Sequence, residues 1–179
     1  PLAEIFSEFS EPIAAASNAQ VHRARLTETG ENVAVKVLRP GIERAFNRDV
    51  DAFYFAARIV DLFAPGARRL RPMDVIEHFD GVVQGELDLR LESAAASEFA
   101  ANTAEDEGFQ LPRIRWEASA RRVMTLDWAD GTALGDNAAL DAADHDRQAL
   151  AKRVLTLFLQ HALRDGFFHA DMHQGNLKV

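Results

Sequence analysis

The chain has 179 residues, enough for one substantial core or two small lobes, and 47% hydrophobic with 27% charged residues is an ordinary globular balance. No apolar run approaches the roughly 18 residues that a membrane span requires. With 28 Asp and Glu against 20 Lys and Arg the formal charge is −8, which argues against polyanions such as nucleic acid but leaves room for a small, locally held phosphate ligand. The absence of cysteine removes disulfide frameworks, thiol nucleophiles and Cys-type zinc sites together.

In chain order, Phe9 to Leu38 reads as strand, loop, strand, turn, strand: "QVHRARL" and "NVAVKVL" flank the turn signal Thr29-Gly30. The tetrapeptide "AAAS" occurs twice. At Ala14–Ser17 it lies between two expected strands, where it makes either a plain tight hairpin or a loop whose backbone amides approach a phosphate. At Ala94–Ser97 it lies in an expected helix, where alanine is simply the best helix former. Lys36 sits between Val35 and Val37 and faces the side of the strand opposite to them; its plain reading is a solvated edge lysine. Pro40 permits a helix start, and Ile42, Phe46, Val50, Phe53, Ala57 and Val60 predict one amphipathic helix up to Pro65-Gly66.

A second helix is expected from about Pro72 through "VIEHFDGVVQGELDLRLESAAASEFAANT", despite two interior glycines. On it Asp88 and Glu92 share a face at the i, i+4 separation. They form either a solvated acidic face or a site where one carboxylate turns inward to a lysine or a metal. "FQLPRIRWEASARRVMTLDWADG" predicts two more strands, with Pro112 at an edge, and then a loop. From Asp141 the chain becomes helical again, with Leu150, Val154, Leu157, Phe158, His161 and Ala162 as the apolar stripe and Gly166 as the stop. Strands, helices, strands, helix and loop in that order predict an α+β small lobe followed by a helical one.

The closing "GFFHADMHQGNLKV" gathers His169, Asp171, His173 and Asn176. Asp171 and Asn176 stand as Asp-x-x-x-x-Asn, with Gly175 expected to permit an unusual backbone angle. A carboxylate and an amide oxygen suit Mg²⁺ and a substrate hydroxyl better than zinc. A zinc site on His169 and His173, completed by Asp171 or His161, is the weaker alternative because no Glu stands between the histidines and glycines flank the segment. A polar helix-to-strand connection is the plain reading.

Taken together, "PIAAASNAQVHRA", "VAVKVLRPGIE", "QGELDLRLE" and "FFHADMHQGN" resemble the UbiB family of atypical, protein-kinase-like proteins, which is linked to ubiquinone biosynthesis. The resemblance runs over essentially the whole chain. It implies a protein-kinase-like α+β fold: a small β-rich lobe with long helices at 1–130, a hinge near Met124–Gly131, and the start of a helical large lobe at 131–179. It implies ATP or ADP with Mg²⁺ as cofactors. Lys36 would grip the α- and β-phosphates and Glu92 would pair with that lysine; Asp171 would orient or deprotonate an acceptor, Asn176 would hold Mg²⁺, and His169 would open the catalytic loop.

The same resemblance assigns Ala14, Ala15, Ala16 and Ser17 to an alanine-rich loop over the nucleotide and the backbone around Thr125, Asp127 and Trp128 to the adenine. Glu86 and Asp88 fall in a Glu-x-Asp motif that partners an N-terminal Lys-x-Gly-Gln segment. That segment and the metal-binding Asp of an Asp-Phe-Gly motif do not occur in the sequence. The chain, beginning at Pro1, is therefore expected to be a fragment cut at both ends, with weak nucleotide binding and little turnover of its own. Three residues depart from the family pattern: Asn18, where an aliphatic residue is expected, and Met172 and Gln174, where prolines are common. The implied activity is phosphotransfer or ATP hydrolysis toward a protein, lipid or quinone-precursor acceptor. The implied location is the cytoplasm, with the parent peripheral to the inner membrane through regions absent here. A non-catalytic nucleotide-binding regulator or scaffold is the alternative.

Overall fold

A computed structural model describes residues 2–179; Pro1 lies outside them. The chain divides into two compact units, one comprising residues up to Ala94 with Ile114–Leu126, the other Ala95–Arg113 with Asp127–Val179.

The first unit is built on a four-stranded sheet in the order β1 (Phe6–Ala15), β2 (Ala19–Leu26), β3 (Asn32–Leu38), β4 (Val123–Asp127), preceded by the short helix α1 (Leu2–Ile5). β1, β2 and β3 pair antiparallel, with Val21 opposite Lys36, His22 opposite Val35 and Ala24 opposite Val33. The period-2 pattern explains which side is apolar. Phe6, Ala24, Leu26, Val33 and Val35 make a buried cluster with Ala118, and Phe9, Val37 and Val123 pack against it. His22 joins this side because its Nδ1 meets the Ser10 carbonyl at 2.8 Å and its ring lies against Phe9. β3 has neighbours on both sides, so Lys36 is not the edge lysine of the plain reading.

Helix α2 (Ile42–Phe63) follows the expected stripe, burying Val50 and Ala57. The single long helix expected next is instead two, α3 (Pro72–Glu86) and α4 (Leu89–Asn102). The break has a local cause. Leu87 and Leu89 are both buried, the Leu89 N–H donates to the Arg121 carbonyl, and the Asp88 carboxylate accepts from the Arg90 N–H, the position of a helix N-cap. Of the two strands expected in 109–131, only β4 forms. The stretch before it contributes isolated bridges, Ile114 with Leu126 and Ala120 with Val123, around a 3₁₀ turn at Trp116–Ala118.

The second unit contains α5 (Asn137–Ala142) and α6 (Arg147–Gln160); Asp146 caps the latter through the N–H groups of Gln148 and Ala149. A π turn, His161–Asp165, extends α6 until Gly166 ends it at φ 64°. The turn is pinned from inside. The Asp106 carboxylate, 5% exposed, accepts from Gln160, from His161 Nε2 at 2.9 Å, and from Arg164 at 2.6 and 2.9 Å. His161 is 2% exposed and packs on Phe99 and Phe109. Arg164, then His161, hold the Asp106 carboxyl down at about 2. Among the described residues no helix is long and apolar enough to cross a membrane.

Two outcomes follow from these contacts. A carboxyl held low contributes stability that is complete above its unfolded value near 4 and is lost as pH falls through about 2. Urea unfolding should therefore show Asp106→Asn clearly less stable at pH 7, with the gap closing between pH 4 and pH 2. A Cβ on Gly166 would meet nothing within 4 Å, so Gly166→Ala should cost only the left-handed backbone term, about 1 kcal/mol, read as a lower urea midpoint at unchanged slope.

Candidate functional site

In the first unit the side of β3 away from the valine cluster presents Lys36. Its Nζ lies 2.7 Å from both carboxylate oxygens of Glu92, 56 positions later on the first turn of α4. The start of a helix favours a carboxylate there. The side chains remain 23% and 47% exposed, and a pair so open contributes under about 1 kcal/mol to folding. The geometry leaves one cationic group, oriented by a forked carboxylate, within reach of solvent.

Asp88 and Glu92 do not lie on one continuous helix: Asp88 stands just before α4 and Glu92 in its first turn. It binds Arg90 through Nε and Nη2 at 2.9 and 2.6 Å, and that guanidinium holds its carboxyl at about 2. Glu86 is exposed, and its carbonyl accepts from Asn18 Nδ2 at 3.4 Å. Ala14 and Ala15 end β1; Ala16, Ser17 and Asn18 make a tight hairpin closed by the Ala16 N–H on the Ala19 carbonyl. Arg39 Nη2 holds the Ala16 carbonyl at 3.2 Å. Thr125 is fully buried: its N–H donates to Ser119 Oγ, its C=O accepts from the Arg115 N–H and its hydroxyl donates to Ala118. Thr125 therefore offers no backbone group to an adenine. The Asp127 N–H donates to the Arg113 carbonyl, and Trp128 Nε1 to Asp130.

In the second unit the closing segment is an exposed loop. Asp171 is 84% exposed; its N–H donates to His169 Nδ1 and its carbonyl accepts from Asn176 Nδ2. Asn176 thus commits its amide nitrogen within the loop and keeps Oδ1 as an acceptor. His173 Nδ1 accepts from the Gly175 N–H. Gly175 does not adopt the positive φ expected of it. It is needed for space instead: a Cβ there would stand 2.8 Å from the His173 ring. The end of the segment is tied down by reciprocal hydrogen bonds between Thr132 and Val179 and by Lys178 on the Ala129 carbonyl.

An apolar cleft of about 830 Å³ opens in the same unit, walled by Leu140, Leu150, Val154, Phe158 and Met172; His169 and His173 line it, Asp171 and Asn176 do not. Among the described residues no three His, Asp or Glu side chains gather at metal-holding positions, and both histidines of the zinc alternative have Nδ1 engaged by backbone. One exposed carboxylate and one amide oxygen fit a cation whose remaining ligands are phosphates and water, the usual habit of Mg²⁺. The sequence reading missed Asp106 and Arg164, whose partners lie more than 50 positions away in the chain.

The sequence matches the ABC1 atypical kinase-like domain over residues 1–179. It is similar to proteins named "Probable protein kinase UbiB". The one from Marinobacter nauticus is 38% identical over 180 positions, covering 100% of this chain and 33% of the relative. Those of Pseudomonas putida and Azotobacter vinelandii are 38% and 40% identical over 177 positions, each covering 98% of this chain and 33% of the relative. The chain spans about a third of the length of the curated relatives it matches. The small sheet, the helices around it and the four motifs in order agree with that match, and the chain belongs to the ABC1 family of atypical kinase-like domains, among UbiB-like proteins.

Proposed function

We propose that this chain is the nucleotide-handling part of an ATP-dependent kinase-like protein, a phosphotransferase or ATPase, that supports ubiquinone (coenzyme Q) biosynthesis. The observation that carries the reading is the fork of Glu92 on Lys36, at 2.7 Å to each oxygen, on an interior strand and still open to solvent. Such a pair adds little to stability; it orients an ammonium toward the α- and β-phosphates of ATP or ADP. Asp171, exposed and acceptor-only when ionised, takes or orients the hydroxyl proton of an acceptor, and His169 fixes the Asp171 backbone. Asn176 Oδ1 would help hold Mg²⁺, which when bound neutralises phosphate charge. Asp127 and Trp128 remain the candidates for the adenine side. The acceptor class is a protein, a lipid or a quinone precursor.

One observation favours a second reading, a regulator that binds nucleotide without turning it over. The Ala16 N–H is already engaged by Ala19, so the alanine-rich hairpin offers a poorer phosphate cradle than a glycine loop.

One measurement tests nucleotide binding itself and a second separates these readings. Lys36→Met should leave the unfolding free energy within about 1 kcal/mol while lowering ATP affinity at least about tenfold by titration calorimetry, since charge-assisted phosphate contacts are the strong ones; unchanged affinity would remove the nucleotide reading. Asp171→Asn in the intact protein should keep ATP affinity and lose about 100-fold or more in turnover. Survival of the biological activity in that variant favours the regulator.

A further inference from the structure

The acidic residue at position 88 has a use within this chain that the pairing of Glu86 and Asp88 as one motif does not suggest. Glu86 is exposed at the end of α3, whereas Asp88 stands in the two-residue gap between α3 and α4 with its side chain 16% exposed. Three contacts fix that gap. The Asp88 carboxylate accepts from the Arg90 N–H at 3.1 Å, its carbonyl accepts from the Leu91 N–H at 3.0 Å, and the Leu89 N–H goes to the Arg121 carbonyl at 2.8 Å. These are donors that a new helix must satisfy at its start.

The alternative conformation is concrete. The sequence from 72 to 102 is helix-forming enough to predict one uninterrupted helix. At about 100° per residue, Glu92 on such a helix would lie roughly 180° from the buried Val83 of α3, on the outward face. The restart at Leu89 re-aims the chain, and Glu92 meets Lys36 instead.

We propose that Asp88 is a positioning residue: by capping α4 it sets where that helix begins, and so delivers Glu92, one turn later, to the ammonium of Lys36. Alanine at this position removes the cap acceptor and at the same time favours helix continuation. Serine keeps the cap and loses the charge. The Arg90 fork braces the carboxylate without making the cap, so its loss leaves the pair in place. The functional weight of this role rests on the reading of Lys36 as a phosphate ligand, but the positioning is measurable without any nucleotide.

The chain has three lysines, Lys36, Lys152 and Lys178, so competitive acylation read by mass spectrometry reports Lys36 against an internal reference. In the intact protein, Asp88→Ala should raise the labelling rate of Lys36 relative to Lys152 about fivefold, the usual scale of a lost N-cap. Asp88→Ser and Arg90→Ala should stay within about twofold of the parent. No change in Asp88→Ala overturns the proposal. An equal rise in Asp88→Ala and Asp88→Ser overturns it too, because charge rather than capping would then be responsible. Should Asp88→Ala fail to fold, Arg90→Ala still decides: a fivefold rise there shows that the fork, not the cap, holds the pair. Lys36→Met without effect on ATP affinity would sink the nucleotide reading while leaving the labelling result intact.

Discussion

A single ammonium group held at 2.7 Å from both oxygens of one carboxylate, 56 positions away, is the constraint around which the first unit makes sense. The pair is too exposed to hold the unit together; at under about 1 kcal/mol it is weaker than the burial of any one of Val33, Val35, Leu87 or Leu89, each worth about 1.5–3 kcal/mol. Causation therefore runs the other way. The valines of β3 bury one side of the strand and leave Lys36 on the other, while Leu87 and Leu89 seat the junction from which α4 departs. What such a pair supplies is geometry rather than folding energy.

The second unit shows the contrast between a carboxylate buried among donors and one left open to solvent. Asp106 is 5% exposed and fully surrounded by donors from Gln160, His161 and Arg164; Asp171 is 84% exposed, its backbone hydrogen-bonded within the loop and its carboxylate 3.8 Å from His173 Nε2. The buried one cannot meet a substrate, because every lone pair faces a committed donor. It anchors the π turn that immediately precedes the loop, and Phe167 at the start of that loop packs on Phe99 beside His161. Rigidity upstream and exposure downstream suit the role proposed for Asp171, which needs a side chain held in place yet within reach of an acceptor.

Local pattern made much of this legible. Alternation of character announced β2 and the valines of β3 announced that strand, the six-residue stripe announced α2, and Gly166 announced the stop of the last helix. Motif order announced the family. What failed did so for non-local reasons. The break at Asp88 depends on the Arg121 carbonyl, which lies over 30 positions later, and no periodicity reports it. The stretch before β4 carries strand-forming residues but forms only isolated bridges, since the 3₁₀ turn at Trp116–Ala118 interrupts the extended backbone between Ile114 and Ala120. Gly175 was legible as a required glycine but not for its reason, which is the His173 ring rather than the backbone angle. Asp106 looked like one acid among many because its partners are more than 50 positions distant.

The alanine-rich hairpin completes the physical picture. A glycine loop can wrap a phosphate because its amides are free to turn inward. Here the Ala16 N–H is engaged by Ala19, its carbonyl by Arg39, and the adjoining Asn18 reaches the carbonyl of Glu86 at the end of α3. Each contact removes a way for the hairpin to adapt. On the proposed nucleotide reading, discrimination of a phosphate would fall on the charge of Lys36 and on whatever keeps Glu92 beside it. On that reading the junction at Asp88 would gain an influence that the corresponding residue would not need where a flexible loop shared the load.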